Sequence, residues 1–292
     1  MTEAGVGSTV PRRQLGRYLR QLREEAGMTI KAAADALEWS TPKIWRIEKG
    51  DTSMRSLDVE QMCRIYGAEK KNTEALMGLA KETKAKGWWH AYGDVIPSHF
   101  DLYVGLEQAA SHLRGYEAEL VPGLLQIESY TSTIVRANGD TPEADVARKV
   151  KVKLDRQAVL ARPNPPRFDV VINEATLHRP IGGPKVMAQQ LETMAELSEL
   201  PHISVRVIPF DIGVHQGILT GPFMILDFPP ARNGSGPSEP TTIYVEIWTG
   251  SLYLDKPNEV ARYIDAHENL TSKSLSEKAS RDLIRATARR VT

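Results

Sequence analysis

Between positions 29 and 46 the chain places Lys31, Lys43 and Arg46 beside the hydroxyls of Thr29, Ser40 and Thr41 and the indole of Trp45. These side chains match the donors and acceptors of a nucleic acid. An ammonium such as Lys43 donates to guanine O6 and N7 or to a phosphate, and a threonine such as Thr41 bonds a phosphate or touches a thymine methyl. Arg46 is long enough to reach the sugar-phosphate backbone. Ser40 stands where a helix begins, and the free N–H groups of a helix N-terminus attract anions, so its own N–H suits a phosphate. Lys31 and Thr29, near the start of the preceding helix, would meet the adjacent phosphates.

That chemistry needs rigid elements to aim it, and the segment GMTIKAAADALEWSTPKIWRIEKG supplies two short amphipathic helical patterns joined by a few polar residues. A first helix is expected from about Arg13, with an apolar stripe of Leu15, Leu19 and Leu22, a basic side of Arg17, Arg20 and Arg23, and a stop at Gly27. Thr29 is the N-cap expected for a second helix, whose small face of Ala32, Ala33, Ala34 and Ala36 lets a neighbour approach closely. Ser40 is expected to cap a third helix that tolerates Pro42 in its first turn and ends at Gly50. Ile44 and Ile47 turn inward, and Thr41, Lys43 and Trp45 outward. Glu48 is placed to reach back to Arg20 or Arg23. A fourth helix capped by Ser56 runs to about Tyr66, and a fifth spans about Asn72 to Lys84. The pattern is that of a helix-turn-helix, which presents the first turn of one helix to the DNA major groove.

Composition frames the remainder. The 292 residues carry 37 basic and 37 acidic side chains, but residues 1–86 hold 16 Lys and Arg against 12 Asp and Glu, so the basic excess lies with the helix-turn-helix. The length suits two domains. The single cysteine, Cys63, excludes an intramolecular disulfide and a multi-cysteine zinc site, and with the lack of an apolar signal core or spanning segment it fits a reducing, cytoplasmic setting. Cys63 is expected to be a buried structural thiol among Leu57, Met62 and Ile65. No HExxH, GxSxG, GxxxxGK or helix-opening GxGxxG occurs, and the seven histidines are dispersed without ligand spacing. Asp169 with Glu174, or Glu246 with Asp255, could pair as carboxylates, but such pairs are common in any α/β domain. No enzyme, metal or cofactor is expected.

The resulting organisation is multidomain, α followed by α+β. Residues 1–11 form a disordered arm, 12–86 a five-helix DNA-binding domain, 87–104 an aromatic connector and 105–292 an α+β domain with a largely antiparallel sheet. In the connector Trp88, Trp89, Tyr92, Phe100 and Tyr103 are too apolar to stay solvated, and a ligand cage is the alternative to packing. Helices are expected at 101–116, 124–137, 142–161, 184–200, 257–271 and 275–289, and strands at 168–175, 203–210, 221–228 and 242–248. The stretch PPARNGSGPSEP at 229–240 reads as a mobile surface loop.

The helix-turn-helix segment, with Arg46, Ile47, Glu48 and Gly50 forming R-I-E-x-G, resembles the Xre type. The continuation through GWWHAYGDVIPSHFDLYVGLE, YEAELVPGLLQIESY, VVINEATLHRPIGGP, ISVRVIPF, LTGPFMILDF and YVEIWTGSLYLDKPNEVARY is similar to the actinobacterial WhiJ-like regulators. The resemblance implies a transcription regulator with a C-terminal domain of unknown function, an antitoxin-like arrangement, a role in developmental gene control, and a small BldB-like protein as partner. Ile30 stands where that type commonly has glutamine, and Trp45 where it has a small polar residue, which implies either a distinct operator with Trp45 on a thymine methyl or sugar, or a weaker binder rescued by its dimer partner. The expected protein is a homodimeric repressor on a near-palindromic operator. The alternatives are a small-molecule-sensing transcription factor and the antitoxin of a toxin–antitoxin-like pair.

Overall fold

The structure, a computed structural model, describes residues 9–84, 98–137, 139, 141–230 and 236–291. The chain divides into two compact units.

The first unit is helical: α1 (Thr9–Glu25), α2 (Ile30–Ala36), α3 (Thr41–Lys49), α4 (Ser56–Ile65) and α5 (Lys70–Glu82). Its core joins Leu15 and Leu19 of α1, Ile44 and Ile47 of α3 and Val59 and Met62 of α4, all no more than 2 % exposed. The cap chemistry explains the helix limits. Thr29 Oγ1 accepts the backbone N–H of Ala32 at 3.1 Å, and Gly50 ends α3 at φ +80°, where L side chains are strained. Gly50 is also forced by space, because a Cβ there would lie 2.6 Å from Arg13 Cα. Gly16 likewise lets α1 lie against the carbonyls of Ile47 and Glu48.

Several local expectations are corrected. Helix α1 begins at Thr9, so residues 9–11 are not part of an arm, and residues 1–8 lie outside the described ones. Ser40 occupies the N-cap position of α3 but makes no side-chain cap bond. Arg55, not Ser56, stands at the N-cap of α4, and the Ser56 hydroxyl instead donates to the Met77 carbonyl at 3.2 Å. Cys63 is fully buried, and burial raises its thiol pKa, whereas Leu57 is exposed and does not pack beside it. The loop expected to be mobile joins this unit: Pro229–Glu239 belongs to it, with residues 231–235 outside the described ones. Glu239 is fully buried and receives Arg13 Nε at 2.7 Å and Arg17 Nη1 and Nη2 at 2.7 and 3.0 Å.

The second unit begins its described part with α6 (Ser98–Ala109) and is built on a six-stranded sheet in the order β3-β2-β1-β4-β5-β6. The strands are β1 (His112–Glu117), β2 (Arg167–Asn173), β3 (Ile203–Ile208), β4 (Phe223–Asp227), β5 (Thr242–Ile247) and β6 (Gly250–Leu254). β1, β2 and β3 pair in parallel, while the β1–β4, β4–β5 and β5–β6 pairings are antiparallel. Parallel pairing requires crossovers. The first carries α7 (Glu128–Ala137), α8 (Glu143–Arg156) and the short α9 (Ala158–Ala161), and the second the short α10 (Ala175–His178) and α11 (Pro184–Leu197). A turn of helix, α12 (Gly217–Thr220), precedes β4, and α13 (Pro257–Lys273) and α14 (Glu277–Val291) follow the sheet. Tyr116, Phe223, Ile225 and Ile243 form the face that packs under Val260 and Leu270 of α13.

The mixed fold with a mostly antiparallel sheet agrees with expectation, but two strands differ. The run expected as one helix over 101–116 is α6 followed by β1, which lies inside the sheet with neighbours on both sides. HLRGYE has no β-branched residue and a glycine at its centre, so its strand state comes from pairing with β2 and β4 rather than from propensity. β6 was not expected and forms a hairpin with β5. The aromatic connector is corrected in the same way. Phe100 and Tyr103 belong to α6 in the second unit, while Trp88, Trp89 and Tyr92 lie outside the described residues. Among the described residues no helix is long and apolar enough to cross a membrane.

Candidate nucleic-acid interface

Helix α3 buries Ile44, Ile47 and Glu48 and leaves Thr41, Trp45 and Arg46 exposed, Trp45 by 51 %. Ser40 is exposed at its start, and Pro42 sits within the first turn, where an N–H has no intrahelical partner to lose. Thr29 and Lys31 are exposed at the start of α2. The seven side chains singled out by type thus lie on α3 and its N-cap Ser40, and on Thr29 and Lys31 at the start of α2.

Lys43 differs from expectation. Its Nζ lies 3.2 Å from the centre of the Trp39 ring and the side chain is half-buried rather than free in solvent. Trp45 holds Lys49 Nζ at 4.8 Å in the same manner, across four residues of α3, a spacing that stacks side chains along one helical face. Trp39 was missed in the sequence because it belongs to the turn rather than to either helix. Its spacing to Lys43 was the available signal.

The helix is clamped from behind. Arg23 of α1 donates Nε to Glu48 Oε1 at 2.6 Å and Nη2 to Glu48 Oε2 at 2.9 Å, and both residues are buried. Its Nη1 reaches the Met28 carbonyl at 2.7 Å, tying the turn before α2 to the same group. The bond to Glu48 holds the guanidinium in its charged form, raising its pKa. Of the two arginines that could meet Glu48, Arg20 instead pairs with Glu24 on the surface at 2.8 Å.

In the second unit Asp169 and Glu174, which the sequence could pair, are each engaged elsewhere. Asp169 takes His112 Nε2 at 2.8 Å and Arg167 Nε at 2.8 Å, whereas Glu174 accepts the backbone N–H of Phe210 at 2.8 Å. Burial opposes ionisation of Asp169, but the hydrogen bonds from His112 and Arg167 outweigh it and lower its pKa. What the fold does assemble, from residues distant in sequence, is a cavity between α6, α7, α8 and the sheet, lined by Phe100, Tyr103, Glu117, Lys153, Arg156 and Tyr244 among others. Arg156 closes one wall, with Nε 2.9 Å and Nη2 2.7 Å from the buried Glu107 carboxylate. Its guanidinium carbon lies 4.8 Å from the centre of the Phe100 ring.

A clamped, exposed helix whose accessible face carries lysine, arginine, threonine and tryptophan defines a helix-turn-helix module, here followed by an α/β unit. Comparison with protein families agrees. Residues 14–76 match a model described as a helix-turn-helix domain, and residues 100–286 match one described as "Domain of unknown function (DUF5753)". The second match spans more than half of the chain, which therefore belongs to the DUF5753 family, and the first marks it as a DNA-binding regulator. No curated protein matches the chain.

Proposed function

We propose that the chain is a sequence-specific transcriptional repressor of the Xre type, WhiJ-like in arrangement, acting as a cytoplasmic homodimer on a near-palindromic operator. The observation that carries this reading is the exposed face of α3 held against α1 by the buried Arg23–Glu48 pair, a rigid mount for a reading helix. In this reading Thr41 and Trp45 meet base edges, and Lys43 meets a guanine edge or a phosphate. Ser40, Arg46, Thr29 and Lys31 meet phosphates. One such helix reads too few base pairs to select a site in a genome, so two protomers bind half-sites about 34 Å or a multiple apart.

The second unit is the input domain, and a small BldB-like protein is its proposed partner. Exposed Phe210, Val214, Ile218 and Leu219, 62 to 79 % accessible, support a protein-binding surface there. Selection of bound duplexes from a random-sequence pool, followed by anisotropy titration of the winning sequence, tests the DNA reading. An enriched inverted repeat bound much more tightly than scrambled duplex is expected, and no enrichment would overturn it.

A further inference from the structure

The cavity in the second unit has a volume of about 480 Å³, within the range of roughly 300–1,000 Å³ usual for small-molecule sites. Its floor is the sheet face turned away from α13. Gly115 of β1 faces Met224 of β4, and Met224 faces Tyr244 of β5. Side chains alternate along a strand, so Glu117 and Glu246, two residues farther on, project from this same face. Phe100 and Tyr103 of α6, Val135 of α7 and Val152 of α8 supply apolar wall, and the Tyr103 and Tyr244 rings sit 4.1 Å apart.

Half of the six charges lining this space already have partners. Arg156 is held by Glu107, Lys149 donates to Thr141 at 2.9 Å, and Glu119 pairs with Arg179. Glu117, Glu246 and Lys153 hydrogen-bond to no described residue and form no ion pair with one, although all three line the cavity. Setting Lys153 against Glu246 leaves one carboxyl over. We propose that the cavity binds an organic monocation, an ammonium group carried on an aromatic or branched apolar body, with the ammonium seated at Glu117 and Glu246 and the body against Tyr103 and Tyr244.

An anion of the same size would meet Lys153 but also two carboxyl groups, whereas a cation gains the Glu246 carboxylate, the aromatic faces and, once it ionises, the Glu117 carboxylate. Burial and the neighbouring Glu246 push Glu117 up to about 8. Burial and the nearby Arg156 lower Lys153. The other groups around Glu117 are Tyr103, Tyr130 and Tyr244, whose hydroxyls burial raises and which stay neutral, together with Arg156, Lys149 and Glu119. Raising pH ionises Glu117 and weakens the charge on Lys153, and both changes favour a cation.

The inference rests on the second unit being the input domain, and its test is independent of DNA. Calorimetric titration of the full chain with benzyltrimethylammonium, whose charge does not titrate, is compared with titration by phenylacetate. The cation is expected to bind more tightly than the anion, with affinity rising roughly twentyfold between pH 6.5 and 8.5 as Glu117 ionises. Glu117→Gln is expected to flatten that rise to under about threefold. Glu246→Gln, at the exposed rim where folding is not at stake, is expected to weaken cation binding several-fold. No cation binding at either pH, phenylacetate binding as tightly, or an unchanged pH dependence in Glu117→Gln overturns the proposal. Loss of operator binding by the same preparation would instead speak against the DNA reading alone.

Discussion

Replacing Glu48 by alanine removes both acceptors of the pair that fastens α3 to α1, made at 2.6 and 2.9 Å between residues 6 % and 8 % exposed. The Arg23 guanidinium would stay buried with only the Met28 carbonyl, 2.7 Å away, as a compensating acceptor. Breaking a buried pair from one side costs about 3–5 kcal/mol, and the surviving Met28 bond places this case near the lower end, about 3 kcal/mol. A local loss of that size raises the opening equilibrium of the helical unit roughly 150-fold. Hydrogen-exchange mass spectrometry on peptides from α1 and α3 reads this directly, with peptides from β1 and β2 as internal reference. Arg20→Ala is the control, because its pair with Glu24 is exposed and screened by solvent, so its loss should leave protection nearly unchanged. Replacing both Arg23 and Glu48 with leucine should cost less than the sum of the two single changes, since neither charge is then stranded. Protection in α1 and α3 reduced less than fivefold by Glu48→Ala would refute the argument that this pair mounts the helix.

Further expectations follow from individual contacts. Gly50→Ala should lower the thermal stability of the helical unit well beyond Gly27→Ala: both have positive φ, but only at Gly50 would the new methyl strike backbone, 2.6 Å from Arg13 Cα. Equal losses for the two variants would count against the close approach. For Lys43→Ala with Arg46→Ala, anisotropy should show loss of specific binding and a shallower dependence on salt. If a dimer places Lys31, Lys43 and Arg46 on phosphates, wild-type affinity should drop about a thousandfold between 50 and 200 mM salt, and a flat response would exclude the phosphate contacts. His267 in α13 is held neutral by burial, aided by the charge of Arg114, and its pKa falls to about 4. The unfolded chain therefore takes up a proton near pH 6.5 that the folded chain refuses until about pH 4, so stability should fall as pH drops through that window, by at most about 3 kcal/mol. Urea unfolding followed at a series of pH values should show this loss, and His267→Leu should remove most of it. An equally steep pH dependence in the leucine variant would assign it elsewhere.

Much of the helical unit was legible because its signals are local. Thr29 as a cap, Pro42 in a first turn, Gly27 and Gly50 as stops, and Ile44 and Ile47 spaced by one turn each express chemistry contained within a few residues. The same reasoning failed where the decision lay outside that window. Ser40 and Ser56 have the right type for capping, but the first makes no cap bond and the second is drawn to the Met77 carbonyl of α5. Arg20 and Arg23 were equivalent by composition, and only the packing of α1 on α3 buried one beside Glu48 and left the other at the surface.

In the second unit the boundary between local and global determination is sharper. The apolar runs of β2, β3, β4 and β5 marked themselves as strands, since continuous or alternating burial needs a matching pattern of side chains. HLRGYE carried no such mark, and β1 is a strand because two neighbours supply hydrogen bonds on its two edges. Overlooking it concealed a crossover and the sheet face that carries Glu117. The cavity was illegible for the same reason. Phe100, Glu117, Lys153 and Tyr244 are separated by up to 144 positions, and no periodicity links residues whose proximity arises from strand order and helix packing. Sequence alone determined the helix-turn-helix and the residue types on its exposed face, because turns, caps and amphipathic spacing are fixed within a few residues. Which arginine clamps that helix, and which charges share a cavity with aromatic rings, were decided only when distant segments packed together.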